Sequence, residues 1–220
     1  LTQEVTFESL ATLAEYRDPE TGGHIRRTQT YIRALAEYLK THPRFKAYLD
    51  DETIDLLYKS APLHDIGKVG VPDRILLKPG PLTPEEFEEM KKHTIYGRNA
   101  IVAAARKIGS TSFLRIAENL IYSHHEKWDG SGYPEGKRGE NIPVVGRLMA
   151  IVDVYDALIS RRVYKPPFPH EQAVEMIRAA RGSHFDPDVV DALIAIEAEF
   201  RRIAFEHADF DEERDNLRSA

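Results

Sequence analysis

Apolar residues recur at helical spacing along most of this chain. Phe7, Leu10, Leu13 and Ala14 set a stripe at the start, and Ile25, Ile32, Leu35, Ala36 and Leu39 repeat it between His24 and Lys40. Ile54, Leu57, Tyr58 and Ala61 predict a helix that leads into His64. Thr83, Pro84 and Glu86 spell a capping box with proline at the first helical position, so a helix is predicted from Pro84 to about His93. Two more are predicted over 98–108 and 112–124. From Pro143 to Ile159, Val144, Val145, Leu148, Ile151 and Val152 leave little polar face, which predicts a long buried helix. Asp186 before Pro187 reads as a cap that opens a helix running toward Phe205.

Glycine and proline mark the breaks: 72–81, 129–143 and 164–170. The second of these is expected to be irregular or to hold a short hairpin. The last ten residues are polar and expected to fray. The pattern is all-α: a helical domain over 16–206, an N-terminal connecting helix over 1–15 and a polar tail over 207–220.

Composition narrows the chemistry. Among 220 residues there is no cysteine, which excludes disulfides, thiolate metal sites and a cysteine nucleophile. Any metal must sit on imidazole and carboxylate. A net charge of -6 argues against a nucleic-acid polymer as partner, but permits a small anion in a local basic pocket. No apolar run reaches the roughly 18 residues of a membrane span, and no signal peptide is legible. A cytoplasmic protein is expected. The start at Leu1 rather than Met suggests that something precedes it.

The nine histidines are not scattered. His24 opens a helix, His64-Asp65 closes one, His93 is expected to end the capped helix, His124-His125 closes the next, and Asp153 sits inside the apolar helix. A first-row metal needs about four to six donors arranged in three dimensions, and five segments offer them here. A buried, unpaired Asp153 is costly unless a cation neutralises it. Each piece also has a plainer reading: a lone histidine caps a helix, His64-Asp65 is a hydrogen-bonded pair, and Asp153 pairs with Arg147. His184 reads as structural, and His42, His170 and His207 as surface residues. Trp128 either lines a pocket or covers one.

His64-Asp65-Ile66-Gly67-Lys68, followed by the segment from His124-His125-Glu126 through Asp129-Gly130-Ser131-Gly132-Tyr133-Pro134, resembles the HD-GYP group of HD phosphohydrolases. Thr21-Gly22-Gly23-His24-Ile25-Arg26 and His184-Phe185-Asp186-Pro187 fit the same pattern, so the likeness spans about Leu10 to Leu193. It implies an HD-domain helical bundle and a phosphodiesterase that hydrolyses cyclic di-GMP to pGpG or GMP, through attack of a metal-bridging hydroxide on phosphorus. It also implies metal ligands at His64, Asp65 (the bridge), His93, His124, His125, Asp153 and His24, with Glu20 as a carboxylate for a third ion. Two or three divalent ions are expected, iron or manganese before nickel or zinc. Lys68 is expected to contact a phosphate or the leaving oxygen. Gly132, Tyr133, Arg162 and Lys165 are expected to grip the substrate, with Tyr133 stacking on guanine or bonding near a phosphate and with Gly130 and Gly132 allowing positive φ and close approach. The resemblance further implies an upstream sensory or receiver domain and a protein partner at the Gly-Tyr-Pro loop. Two other readings are a cyclic di-GMP sensor with little turnover, and an enzyme for another cyclic dinucleotide.

Overall fold

The computed structural model describes residues 9–14, 23–161 and 166–218. Those residues form helices and turns, with one isolated bridge between Arg181 and Phe185 and no strand among them. Helix α1 (residues 9–14) is followed by α2 (Gly23–Leu39) and α3 (Asp51–Ser60). Two 3-10 turns, Ala61–Leu63 and Ile66–Gly70, lead to α4 (Asp73–Leu76), α5 (Pro84–Lys91), α6 (His93–Ile108) and α7 (Ser112–Ser123). After the glycine-rich loop come α8 (Val144–Ile159), α9 (His170–Ala179), α10 (Pro187–Ala195), α11 (Glu197–Glu206) and α12 (Asp211–Arg218).

Helix α8 is the axis of the core. It buries residues on most sides, including Val145, Leu148, Ile151, Val152 and Ile159, as a helix with so few polar positions must. Around it pack Tyr31, Leu35 and Leu39 of α2, Leu57 of α3, Leu120 of α7, and Val190, Leu193 and Phe200 from the C-terminal helices. Tyr31 stacks on Phe200 with 4.7 Å between ring centroids, and Tyr155 meets both rings edge-on. A smaller cluster, Leu63, Ala117 and Ile121, lies beside the first 3-10 turn.

The periodic helices form where expected, and the capping box at α5 closes in both directions. Five expectations need correcting. In α1 the buried positions are Ala11 and Ala14, while Leu10 and Leu13 of the expected stripe are 46% and 64% exposed, and Phe7 lies outside the described residues. The 72–81 break contains the short α4. His93 does not end α5; Lys92 keeps helical angles and His93 starts α6. The single helix expected after Asp186 is two, broken at Ile196. Within the expected polar tail, residues Asp211–Arg218 form α12, which turns Glu213 and Leu217 inward.

Candidate metal centre

Local chain geometry aims three histidine rings in the same way. The Nδ1–H of His64 donates to the Ala61 carbonyl at 2.8 Å, that of His93 to Met90 at 2.7 Å, and that of His124 to Ile121 at 2.9 Å. Each ring thus folds back on the carbonyl three residues earlier, which fixes the proton on Nδ1 and leaves a lone pair on Nε2. His24, the second residue of α2, reaches the same state differently. Its Nδ1–H donates to Asp156 Oδ2 at 2.9 Å.

The Nε2 lone pairs converge with two carboxylates. His24 Nε2 and His64 Nε2 lie 3.3 Å apart, with Asp153 Oδ1 at 4.0 and 3.9 Å. Asp65 divides its oxygens: Oδ2 is 3.4 Å from His64 Nε2, while Oδ1 is 3.3 Å from His93 Nε2 and 3.4 Å from His124 Nε2. The result is two adjoining donor groups. One holds His24, His64 and Asp153; the other holds Asp65, His93, His124 and His125. Within each, the donor atoms lie within 4.8 Å of one another, and Asp65 stands between the groups.

Gly67 makes that approach feasible. A Cβ there would sit 1.9 Å from the His93 carbonyl and 2.5 Å from the Gly97 nitrogen, so only glycine lets the turn carrying Asp65 lie against the start of α6. His64 and Asp65 themselves occupy the junction between the two 3-10 turns, not a regular helix.

The donor set fits cations. Asp65 Oδ1, His93 Nε2 and His124 Nε2 are buried, and none has a hydrogen-bond partner. Leaving such atoms unsatisfied costs about 1–3 kcal/mol each. All are acceptors, so no mutual hydrogen bond can relieve them, whereas a divalent ion can. Imidazole nitrogen and carboxylate oxygen suit first-row metals. Burial holds the His64 and His125 rings below the ordinary imidazole range, which keeps their lone pairs free. Burial pushes the Asp65 carboxyl up, but the Lys68 ammonium and the His64 ring outweigh it and hold it well below the usual range. Lys68 Nζ lies 2.7 Å from Asp65 Oδ2.

The structure thus brings together His24, His64, Asp65, Lys68, His93, His124, His125 and Asp153. Arg147 is not the partner of Asp153; it donates to Asp186 Oδ2 at 2.8 Å. Glu20, Arg162 and Lys165 lie outside the described residues.

Tyr133 lies flat on His125, with centroids 4.8 Å apart and planes at 28°, so one of its faces is taken by that ring. Phe87 meets it edge-on at 6.1 Å. Burial raises the Tyr133 phenol, which stays an O–H donor at neutral pH. Gly130 does take positive φ, at 85°, but Gly132 does not. Gly132 is required by contact, since a Cβ there would sit 2.3 Å from the Lys127 nitrogen. No hairpin forms in this loop.

Three buried polar supports escaped the sequence. Glu126 is buried and accepts the N–H groups of Glu135 and Lys137 at 2.8 and 2.9 Å, which pins the loop from below. Asp156 orients His24. His170 is buried against the Tyr155 hydroxyl at 2.8 Å rather than on the surface. Trp128 sits beside the guanidinium groups of Arg44 and Arg147. His184 serves through its backbone, accepting the Trp128 N–H at 2.9 Å.

Residues 8–189 match the family described as HD domain. A cyclic di-GMP phosphodiesterase of Vibrio cholerae is 57% identical over 203 residues, covering 92% of this chain and 41% of that protein. A 3′3′-cGAMP-specific phosphodiesterase 2 of the same organism is 40% identical over 186 residues, covering 84% of this chain and 33% of that protein. The chain thus spans less than half the length of either relative. Among solved structures, Bd1817, an HDGYP protein from Bdellovibrio bacteriovorus, superposes with a TM-score of 0.56 at 22% identity, over 80% of this chain and 53% of that one, a likeness of fold. The family match over residues 8–189, the His64–Lys68 turn and the complete His124–Pro134 segment carry one conclusion: this chain belongs to the HD domain family and, within it, to the HD-GYP group.

Proposed function

We propose that this chain hydrolyses cyclic di-GMP with divalent ions held by His24, His64 and Asp153 on one side and by His93, His124 and His125 on the other, with Asp65 bridging. The observation that carries the reading is the convergence of buried, unpartnered acceptors on Asp65, supported by the names of relatives. Such ions, when bound, make hydroxide available near neutral pH and neutralise phosphate charge. Iron or manganese is the metal proposed, and Glu20 is the carboxylate proposed for a third ion.

The protein's own contribution is placement. The three carbonyl-bound rings and the Asp156-bound ring are oriented before any ligand arrives, so little ordering remains to be done on binding. Lys68 puts an ammonium beside Asp65, where it meets a phosphate oxygen or the departing 3′ oxygen. Tyr133 braces His125 and offers its O–H toward substrate, and Gly132 lets its loop lie close. Arg162 and Lys165 are proposed as the phosphate and guanine contacts, through the planar guanidinium and the ammonium.

The test is turnover. Protein loaded anaerobically with Mn²⁺ or Fe²⁺ should convert cyclic di-GMP to pGpG or GMP, and Asp65→Ala should abolish conversion. Binding without conversion by the metal-replete protein would make it a sensor. A second reading is hydrolysis of the mixed dinucleotide 3′3′-cGAMP, supported by the 40%-identical relative named for that substrate. Comparing kcat/KM for the two dinucleotides separates the readings.

A further inference from the structure

The connection between α11 and α12 lies beyond the residues matched to the HD domain family, yet it reaches back to the metal centre. Arg27, buried in α2, is the junction. Its Nε donates to Asp156 Oδ1 at 2.6 Å, and Nη2 donates to Asp156 Oδ2 at 3.1 Å and Ser160 Oγ at 2.9 Å. Nη1 donates to the His207 carbonyl and to Asp209 Oδ2, both at 2.9 Å. These bonds use every N–H that a guanidinium owns.

Asp209 has a second task. Its oxygens accept the Gly23 N–H at 3.1 and 3.3 Å, at the first residue of α2 and next to His24. Glu213 holds Asp209 in turn. Buried in α12, it accepts the Asp209 N–H at 2.9 Å with one oxygen and the Arg161 N–H, just past α8, at 2.8 Å with the other. Contacts therefore run from Glu213 through Asp209 and Arg27 to Asp156, and from Asp156 to the Nδ1–H of His24.

We propose that residues 207–213 form a clamp on the metal centre, making Asp209, Arg27 and Asp156 positioning residues for the ion held by His24, His64 and Asp153. The proposal rests on the metal reading given above. A carboxylate buried beside a neutral imidazole needs a cation to stay ionised, and Arg27 supplies it. Arg27 in turn is oriented by Asp209. Without Asp209, the start of α2 loses an acceptor for one of its exposed N–H groups, and the turn bearing His24 is freed. The effect belongs to one donor group, because His93 and His124 are oriented by the carbonyls of Met90 and Ile121 instead.

The experiment is a calorimetric titration of the full chain with Mn²⁺, together with the visible absorption of the Co²⁺-loaded protein. Wild type should take up ions at the two donor groups, whether or not a further ion binds at Glu20. Asp209→Ala and the shape-preserving Glu213→Gln should each keep one site and weaken the other by about ten- to hundred-fold, with an altered Co²⁺ spectrum. Asp209→Glu should restore part of the lost affinity. Variants that bind both ions with wild-type affinity, or that weaken both sites equally, overturn the clamp while leaving the metal reading intact. A wild type that binds no divalent ion overturns both.

Discussion

His24 and His64 point their Nε2 atoms at each other across 3.3 Å, and in their neutral forms each turns a lone pair there, because each gives its Nδ1–H to a different acceptor. Two opposed lone pairs in a buried site repel. A cation between the donors removes that repulsion, so the protein should be more stable with metal than without. A free ion at about 100 times its Kd adds about 2.7 kcal/mol per site. Thermal unfolding in EDTA against Mn²⁺ measures this. An identical midpoint in the two conditions would show that the acceptors do not hold an ion.

Lys68→Met should separate chemistry from metal binding. The ammonium lies on Asp65 Oδ2 but belongs to neither donor group. Its removal takes positive charge from where negative charge develops, which costs about 10²–10³-fold in kcat. Metal content should stay at the wild-type level. A rise in KM with kcat intact would place Lys68 in ground-state binding instead.

Gly67→Ala should damage the site without touching a donor atom. The added methyl meets the His93 backbone carbonyl at 1.9 Å, and no side-chain rotation can move that carbonyl aside. Overpacking of this kind costs about 1–3 kcal/mol. Separating the second 3-10 turn from α6 also moves Asp65 away from His93. Urea unfolding and metal content should therefore fall together. A fully metallated variant of lower stability would show that the turn is only a packing element.

The sequence showed the site's donors better than its supports, and the reason is range. The His64–Ala61, His93–Met90 and His124–Ile121 bonds are local, so the rings are aimed by the turns that the sequence encodes. The capping box at Thr83 is local too. Asp156 differs. It stands three residues after Asp153 in the same apolar helix, and its partner Arg27 lies 129 residues away, so no spacing rule distinguishes the two carboxylates. Arg147 looked available to Asp153, but the fold gives it Asp186. Glu213 of α12 accepts the N–H of Arg161, 52 residues away, a tie that a polar tail does not advertise.

Acid should destabilise the metal-free protein in two stages. Burial holds the His170 ring below its ordinary range, and burial with the nearby Lys127 lowers His184 to about 4. Both rings bind protons more weakly in the folded than in the unfolded chain, whose histidines titrate near about 6.5. Between those values the unfolded state holds more protons, so stability rises with pH there and is lost as pH falls from about 6.5 toward 4. The second stage belongs to Asp156. Burial raises it, but Arg27 and His24 overcome that and hold it far below the usual carboxylate range. Its contribution is complete above the unfolded carboxylate value and disappears as pH falls below it. Urea midpoints in EDTA at pH 7.5, 6 and 4.5 should decline steadily, and His184→Gln should flatten the decline between pH 6 and 4.5. A midpoint independent of pH above 4.5 would mean that these rings protonate freely in the folded chain.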